Sequence, residues 1–339
     1  MPIAIQGTGL VTSVGLGVPA ACAAIRAKLT NPVATRFMDS SGEWIVAHEV
    51  PMDPPARGLD RLARMAALAI EECLQAVPRE QWPAIPLLLC VAERERPGRT
   101  AGLDDALFDR VQQHLGARFA DGSAVVAHGR VSAAVALSAA RGLLQQGGSA
   151  HVVVAATDSL LSWPSLGAYE RADRLLTERN SNGFMPGEAG AALLLGRPGA
   201  QPELRCTGLG FAVEAAHIDS GEPLRGDGLS AALRQALADA GRQLHEMDFR
   251  ITDVSGEQYY FKEAALALSR TLRVRKDAFD IWHPAESTGE TGAVAGVALL
   301  AVSDHACRKG YAIGHDILAH MGNDGGQRAA AVLHFATAA

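Results

Sequence analysis

One helix-length run in this chain is built almost wholly from small residues, with apolar strand-like runs on both sides. Residues Val131 to Gln145 read VSAAVALSAARGLLQ, and Gly147-Gly148 ends them. Ser123-Ala124-Val125-Val126-Ala127 comes before, and His151 to Ala156 (HVVVAA) follows. A helix so poor in polar groups has no face suited to water, so it must be a buried crossover between strands. Thr291 to Lys309 (TGAVAGVALLAVSDHACRK) repeats the plan. Gly187-Glu188-Ala189-Gly190 leads into the apolar run Ala191–Leu195, and Gly325-Gly326-Gln327-Arg328 leads likewise into Ala329–Leu333. Two βαβαβ halves follow, placed at 1–198 and 199–339 and meeting near Gly196 to Leu204. Buried helices between two sheets imply a five-layer α/β/α/β/α sandwich with one shared core.

The remaining elements fit this frame. Ile3-Ala4-Ile5 reads as a strand running into a glycine turn at Gly7-Thr8-Gly9, with a helix from Val18 to Leu29. Arg61 to Val77 and Leu103 to Leu115 are amphipathic helices, and Pro86 to Val91 is a buried strand. The charged stretch Ala92 to Arg99 (AERERPGR) reads as a solvated turn. The 339 residues suffice for about two units. With 31 Lys+Arg against 37 Asp+Glu, the net charge of -6 argues against a nucleic-acid partner. No apolar run is long enough for a transmembrane helix, and Met1 to Gly15 lacks a basic leader, so a cytoplasmic protein without membrane contact is expected. Cys22, Cys73, Cys90, Cys206 and Cys307 are scattered, as buried reduced thiols would be. His283, His305, His315 and His320 do not fall at metal-ligand spacing and read as surface or capping residues. Neither a metal nor a cofactor is expected: a third glycine is missing after Gly7-Thr8-Gly9, and no Walker loop, H-E-x-x-H or G-x-S-x-G occurs.

Longer stretches carry a resemblance. IQGTGLVTSVGLGVPAACAAIRA, LDRLARMAALAIEECL, GGSAHVVVAATDSLLSWPSLGAYERADRLLTERN, GFMPGEAGAALLLG, TGETGAVAGVALLAVSDH and GNDGGQRAAAVLHF follow one another almost end to end. In that order they resemble the β-ketoacyl synthases, the condensing enzymes of the thiolase superfamily. The resemblance implies a thiolase-like fold and, in an active member, a cysteine at the N-terminus of the buried central helix. There the helix dipole and backbone N–H groups favour a thiolate and an oxyanion. That position falls on Gly129. The family's two histidines fall on Ser255 and Glu290, its lysine on Ala285, and a gating phenylalanine on Asp324. With all four catalytic groups absent, no thioester forms and no imidazole pair stabilises an enolate. A non-catalytic protein is expected.

The replacements suggest a structural role. Ser287-Thr288-Gly289-Glu290 has the S-x-x-E form of a capping box. Arg130 is a cation in the first turn of a helix, where the dipole opposes it. It is expected to pair with Glu290 or Asp324 across the old pocket. His128 and Ser132 flank Gly129 and are the nearby candidates for a substitute base or nucleophile.

The resemblance therefore implies a degenerate scaffold, adaptor or partner subunit. Pairing is expected through the strand at 123–127, as a homodimer or with a ketosynthase homologue. Acyl carrier protein is a further candidate partner. So is a secretion effector, since short cysteine-less relatives resemble accessory proteins of type VI secretion. The alternatives are a chain-length-factor-like subunit, which needs a surviving acyl tunnel, and an acyltransferase with relocated chemistry at His128, Ser132 or Glu290.

Overall fold

A computed structural model describes residues 1–337. The first half contains strands β1 (Ile3–Val11), β2 (Val33–Met38), β3 (Trp44–Ala47), β4 (Leu87–Cys90), β5 (Ala124–Val126), β6 (His151–Ser159) and β7 (Glu188–Gly196). Its helices are α1 (Val18–Arg26), α2 (Gly58–Cys73), α3 (Ala106–Leu115), α4 (Ser132–Gln146) and α5 (Trp163–Arg171). The second half contains β8 (Glu203–Val213), β9 (Phe249–Thr252), β10 (Ile281–Trp282), β11 (Asp316–Gly322) and β12 (Gln327–Ala336). Its helices are α6 (Asp227–Ala240), α7 (Gln258–Thr271), α8 (Ala285–Thr288) and α9 (Ala295–Arg308).

The strand order carries the duplication. The first half runs β5-β4-β6-β7-β1 and the second β10-β9-β11-β12-β8. Each is the same permutation of its own strands. A short antiparallel pairing of Ile3–Ile5 with Leu204–Cys206 joins them into ten continuous strands. The largest core cluster takes residues from both sheets and from α4 and α9, which lie between them. A second cluster lies under α2 and α3, and a third under α6 and α7. This is the expected five-layer sandwich. A hairpin of β2 and β3 stands apart and covers a small cluster of Ile45, Leu160, Leu166, Tyr169, Leu175 and Phe184.

Small residues let the middle layer close. A Cβ on Gly296 of α9 would lie 2.7 Å from Ala133 Cβ of α4 and 2.9 Å from Arg130 O. The two central helices therefore touch through backbone. Gly7 and Gly9 serve the same purpose rather than forming the turn their spacing suggests: β1 runs unbroken through both. A Cβ on Gly9 would collide with the Ala69 carbonyl of α2, and one on Gly210 of β8 with the Ala232 carbonyl of α6. Each half thus presses its first strand against an outer-layer helix, α2 or α6, at a side-chain-free position.

Two expectations about polar segments are corrected. The Ala92–Arg99 stretch is a turn that exposes Arg94 and Glu95, but it is not solvated throughout: Arg96 is buried and ion-paired with Asp158 of β6. Charge alone had suggested exposure, but a carboxylate waits inside. His320 is not a surface or capping residue either. It lies buried on β11, with Nδ1 3.2 Å from Thr252 Oγ1. All five cysteines are free and buried. Among the described residues no helix is long and apolar enough to cross a membrane, and no cluster of His, Cys, Asp and Glu is placed to hold a metal.

Two predictions come from this packing. Gly9→Val forces α2 away from β1, and overpacking of this kind costs about 1–3 kcal/mol; urea denaturation reads the loss, and Gly210→Val shows the same effect in the second half. Burial also depresses two imidazoles, His48 to about 4 and His320 to about 3. The unfolded chain then takes up protons that the folded chain refuses, so this stability is present above pH 6.5 and is lost as pH falls towards 4. Thermal melts between pH 7 and pH 4 will show the decline, and His320→Gln flattens it.

Candidate functional site

The site assembles where α4 begins. After β5 the chain passes His128 and turns through Gly129, whose φ of +55° is a left-handed conformation that favours glycine. The Gly129 N–H donates to Val91 O at 3.1 Å, and His128 O accepts from Asn323 Nδ2 at 2.7 Å. The turn is thereby pinned to both halves. A Cβ added at Gly129 would run into the Glu93 carboxyl and come within 3.0 Å of Asn323 Oδ1. Space that a nucleophile would need at this position is filled by Glu93, whose pKa burial pushes up.

Arg130 follows, buried, and extends into the second half. Its Nη1 donates to Glu290 Oε2 at 3.2 Å, and its Nη2 to Asp324 Oδ1 at 2.7 Å and Tyr260 Oη at 2.6 Å. Nε lies 3.8 Å from Asp253 Oδ2, and the guanidinium sits 4.6 Å from the Tyr260 ring centroid. Both partners anticipated for Arg130 are therefore engaged at once. Arg174, just after α5, holds Glu257 in a bidentate pair at 2.7 and 2.8 Å and donates to Asp324 Oδ2 at 2.7 Å. Asp324 is shared by both arginines. Burial raises its pKa, but Arg130 and Arg174 override that and hold it well below the usual carboxylate range. Asp253 is less well compensated; burial outweighs Arg130 and pushes it up to about 6.

Glu290 does not close a capping box with Ser287. Its N–H donates to Met185 O at 2.8 Å and its carbonyl accepts from Gly187 N at 2.9 Å, so its backbone is bridged to the segment before β7. Its carboxylate accepts from Arg130, from Ser255 Oγ at 2.8 Å and from Gly292 N at 2.8 Å. Ala285 lines a cavity of about 20 Å³ with Asp253 and Glu290. Positive charge among these acids comes from Arg130 on the opposite element. Ser132 is fully buried; its Oγ donates to Val126 O at 3.0 Å and accepts from His128 N at 3.0 Å. It caps a turn, while His128 is exposed and bonds through its main chain.

The space around Arg130 is thus packed with charge. Glu93, Arg96, Arg130, Tyr169, Arg174 and Asp324 surround a remaining cavity of about 20 Å³, room for about one water. Sequence reading placed Gly129, Arg130, Ser255, Glu290 and Asp324 together but missed Glu93, Arg96, Arg174, Glu257 and Tyr260. One signal was present: Arg174 directly precedes Leu175-Leu176, an apolar setting for a cation.

No protein-family model and no curated protein sequence matches this chain. Solved structures do. A ketosynthase in complex with its chain length factor from Xenorhabdus doucetiae is similar at a TM-score of 0.79 and 16% identity, over 98% of each chain. The ishigamide ketosynthase/chain length factor is similar at 0.79 and 16%, over 99% of each chain. A β-ketoacyl synthase from Burkholderia phymatum STM815 is similar at 0.75 and 14%, over 98% of this chain and 99% of that one. The fold is that of the ketosynthases and chain length factors, a thiolase-like sandwich.

Replacing Arg130 by Met leaves Glu290, Asp324 and Asp253 without their shared cation. Breaking a buried pair in this way costs about 3–5 kcal/mol. Burial already raises Asp253, and loss of the cation raises it further, so that carboxyl favours the fold most when protonated. The deficit against the natural chain therefore narrows from pH 7.5 to pH 5.5, which urea titrations at the two pH values measure.

Proposed function

We propose that this chain is a non-catalytic subunit of ketosynthase fold, which contributes surface to an assembly instead of performing acyl chemistry. The observation that carries this reading is the Glu93 carboxyl lying where a side chain at position 129 would have to stand. Around it, buried arginines and acids leave space for about one water. The neighbouring cleft of about 540 Å³ is lined by Glu93, Arg94, Glu95, Asp104 and His128, charged and polar walls that do not suit an acyl chain. A chain-length role that needs an acyl tunnel through this pocket is disfavoured by the same packing. Relocated chemistry is disfavoured by the Ser132 hydroxyl, which is committed to main-chain groups.

Pairing is proposed through β5. This strand is an edge of the sheet, hydrogen-bonded on one side to β4. Its other side offers unpaired backbone groups, which an antiparallel copy of the same strand would satisfy. Two of the similar structures hold a ketosynthase with a chain length factor, which supports a ketosynthase homologue as the alternative partner. Carrier-protein docking and secretion-effector handling are roles that the partner's identity decides.

Light scattering on the purified chain is expected to give a dimer mass, and Ala124→Asp at the exposed edge a folded monomer. Incubation with acyl-CoA or acyl carrier protein is expected to leave the mass unchanged. A monomeric natural chain overturns the β5 interface. An acyl adduct that disappears in Ser132→Ala overturns the non-catalytic reading.

A further inference from the structure

On the far side of α8 from the charged pocket lies a cleft of about 270 Å³, between α1, β10, α8 and α9. Ile25, Val302, Ile281 and Pro284 form its apolar walls, with Ser287 and His283 beside them, and His283 Nδ1 lies 3.0 Å from Glu286 Oε1. Two aromatic rings also line it. Trp282 and Tyr311 are near parallel, 20° apart in plane with centroids 6.4 Å apart. Trp282 is braced from behind by Phe249 at 4.5 Å. The cleft's mouth carries cations. The Arg26 guanidinium stands 4.5 Å from the Tyr311 ring centroid. No carboxylate among the described residues pairs with Arg26 as Glu286 pairs with Lys28. That Lys28 pair is 3.6 Å long with both side chains exposed, so water screens it and it binds Lys28 loosely.

Lys28 is placed there at a conformational cost. It follows α1 with φ at +54°, a left-handed conformation that glycine adopts freely and lysine does not. Leu29 N donates back to Ala24 O at 2.9 Å, the helix-ending bond that normally accompanies a glycine. A lysine in a strained position beside a cleft points to use of its charge.

We propose that this cleft binds a small planar monocarboxylate, an aromatic or heteroaromatic acid. The rings supply faces for stacking, and the guanidinium fork matches a carboxylate. Arg26 and Lys28 against Glu286 leave one net positive charge at the mouth, which a monoanion neutralises. The volume, about 270 Å³, falls just below the usual range of ligand pockets, about 300 to 1,000 Å³, so a large cofactor does not fit. The site uses none of the groups that fill the old pocket, and it stands whether or not the chain pairs through β5.

Calorimetric titration of the full chain with 2-naphthoate tests this. Saturable one-to-one binding below about 1 mM is expected. Arg26→Ala is expected to weaken it at least tenfold, about 1.4 kcal/mol. Lys28→Gly separates use from architecture: affinity falls while thermal stability holds or rises, because glycine relieves the strain. The amide, 2-naphthamide, and the saturated acid, cyclohexanecarboxylate, should each bind more weakly than the naphthoate. Absence of saturable binding overturns the proposal, as does equal affinity for acid and amide. So does undiminished affinity in a folded Arg26→Ala chain.

Discussion

Arg130 leaves the first half of the chain at the opening of α4, where the helix dipole opposes a cation, and reaches Asp253, Glu290 and Asp324 of the second half. Arg174 makes the same crossing to Glu257 and Asp324. Two strand arrays that share only a short backbone ladder are thereby clamped across the interior by ions. Such pairs repay their desolvation only when each is well satisfied. Here Asp324 takes hydrogen bonds from two guanidinia, and Glu290 from a guanidinium, a hydroxyl and a backbone N–H. The surplus acids carry the imbalance: burial raises Glu93, Asp253 and Glu257.

At Gly129, ahead of α4, the Glu93 carboxyl fills the space that a side chain would take. The second half mirrors this at Gly292, φ +57°, where a Cβ would meet the Asp158 carboxylate and Ala293 N donates to Asp158 Oδ2 at 2.9 Å. The duplication thus extends from strand order to the chemistry at the head of each buried helix.

Much of this was legible beforehand. Alanine-rich α4 and α9 declared a buried middle layer, because such surfaces can pack only against each other and against sheets. Arg130 declared a need for acids, because a cation at a helix start is unfavourable alone. Other features were hidden. Arg96 lay in a run of charges that looks solvated until β6 supplies Asp158. Glu290 looked like a cap for Ser287 until the segment before β7 took its N–H. Glycines 7 and 9 looked like a turn because spacing does not reveal that α2 lies against them.

The order of residues by itself determined the layers, the duplicated halves and the absence of a side chain at position 129, since these depend on local periodicity and on which side chains exist. Tertiary structure decided what occupies the space beside Gly129. Glu93, Arg174 and the segment carrying Glu257 and Tyr260 lie far from one another along the chain. Only the closing of the two halves brings their charges within hydrogen-bonding range, where the low dielectric makes each pairing strong and each omission costly.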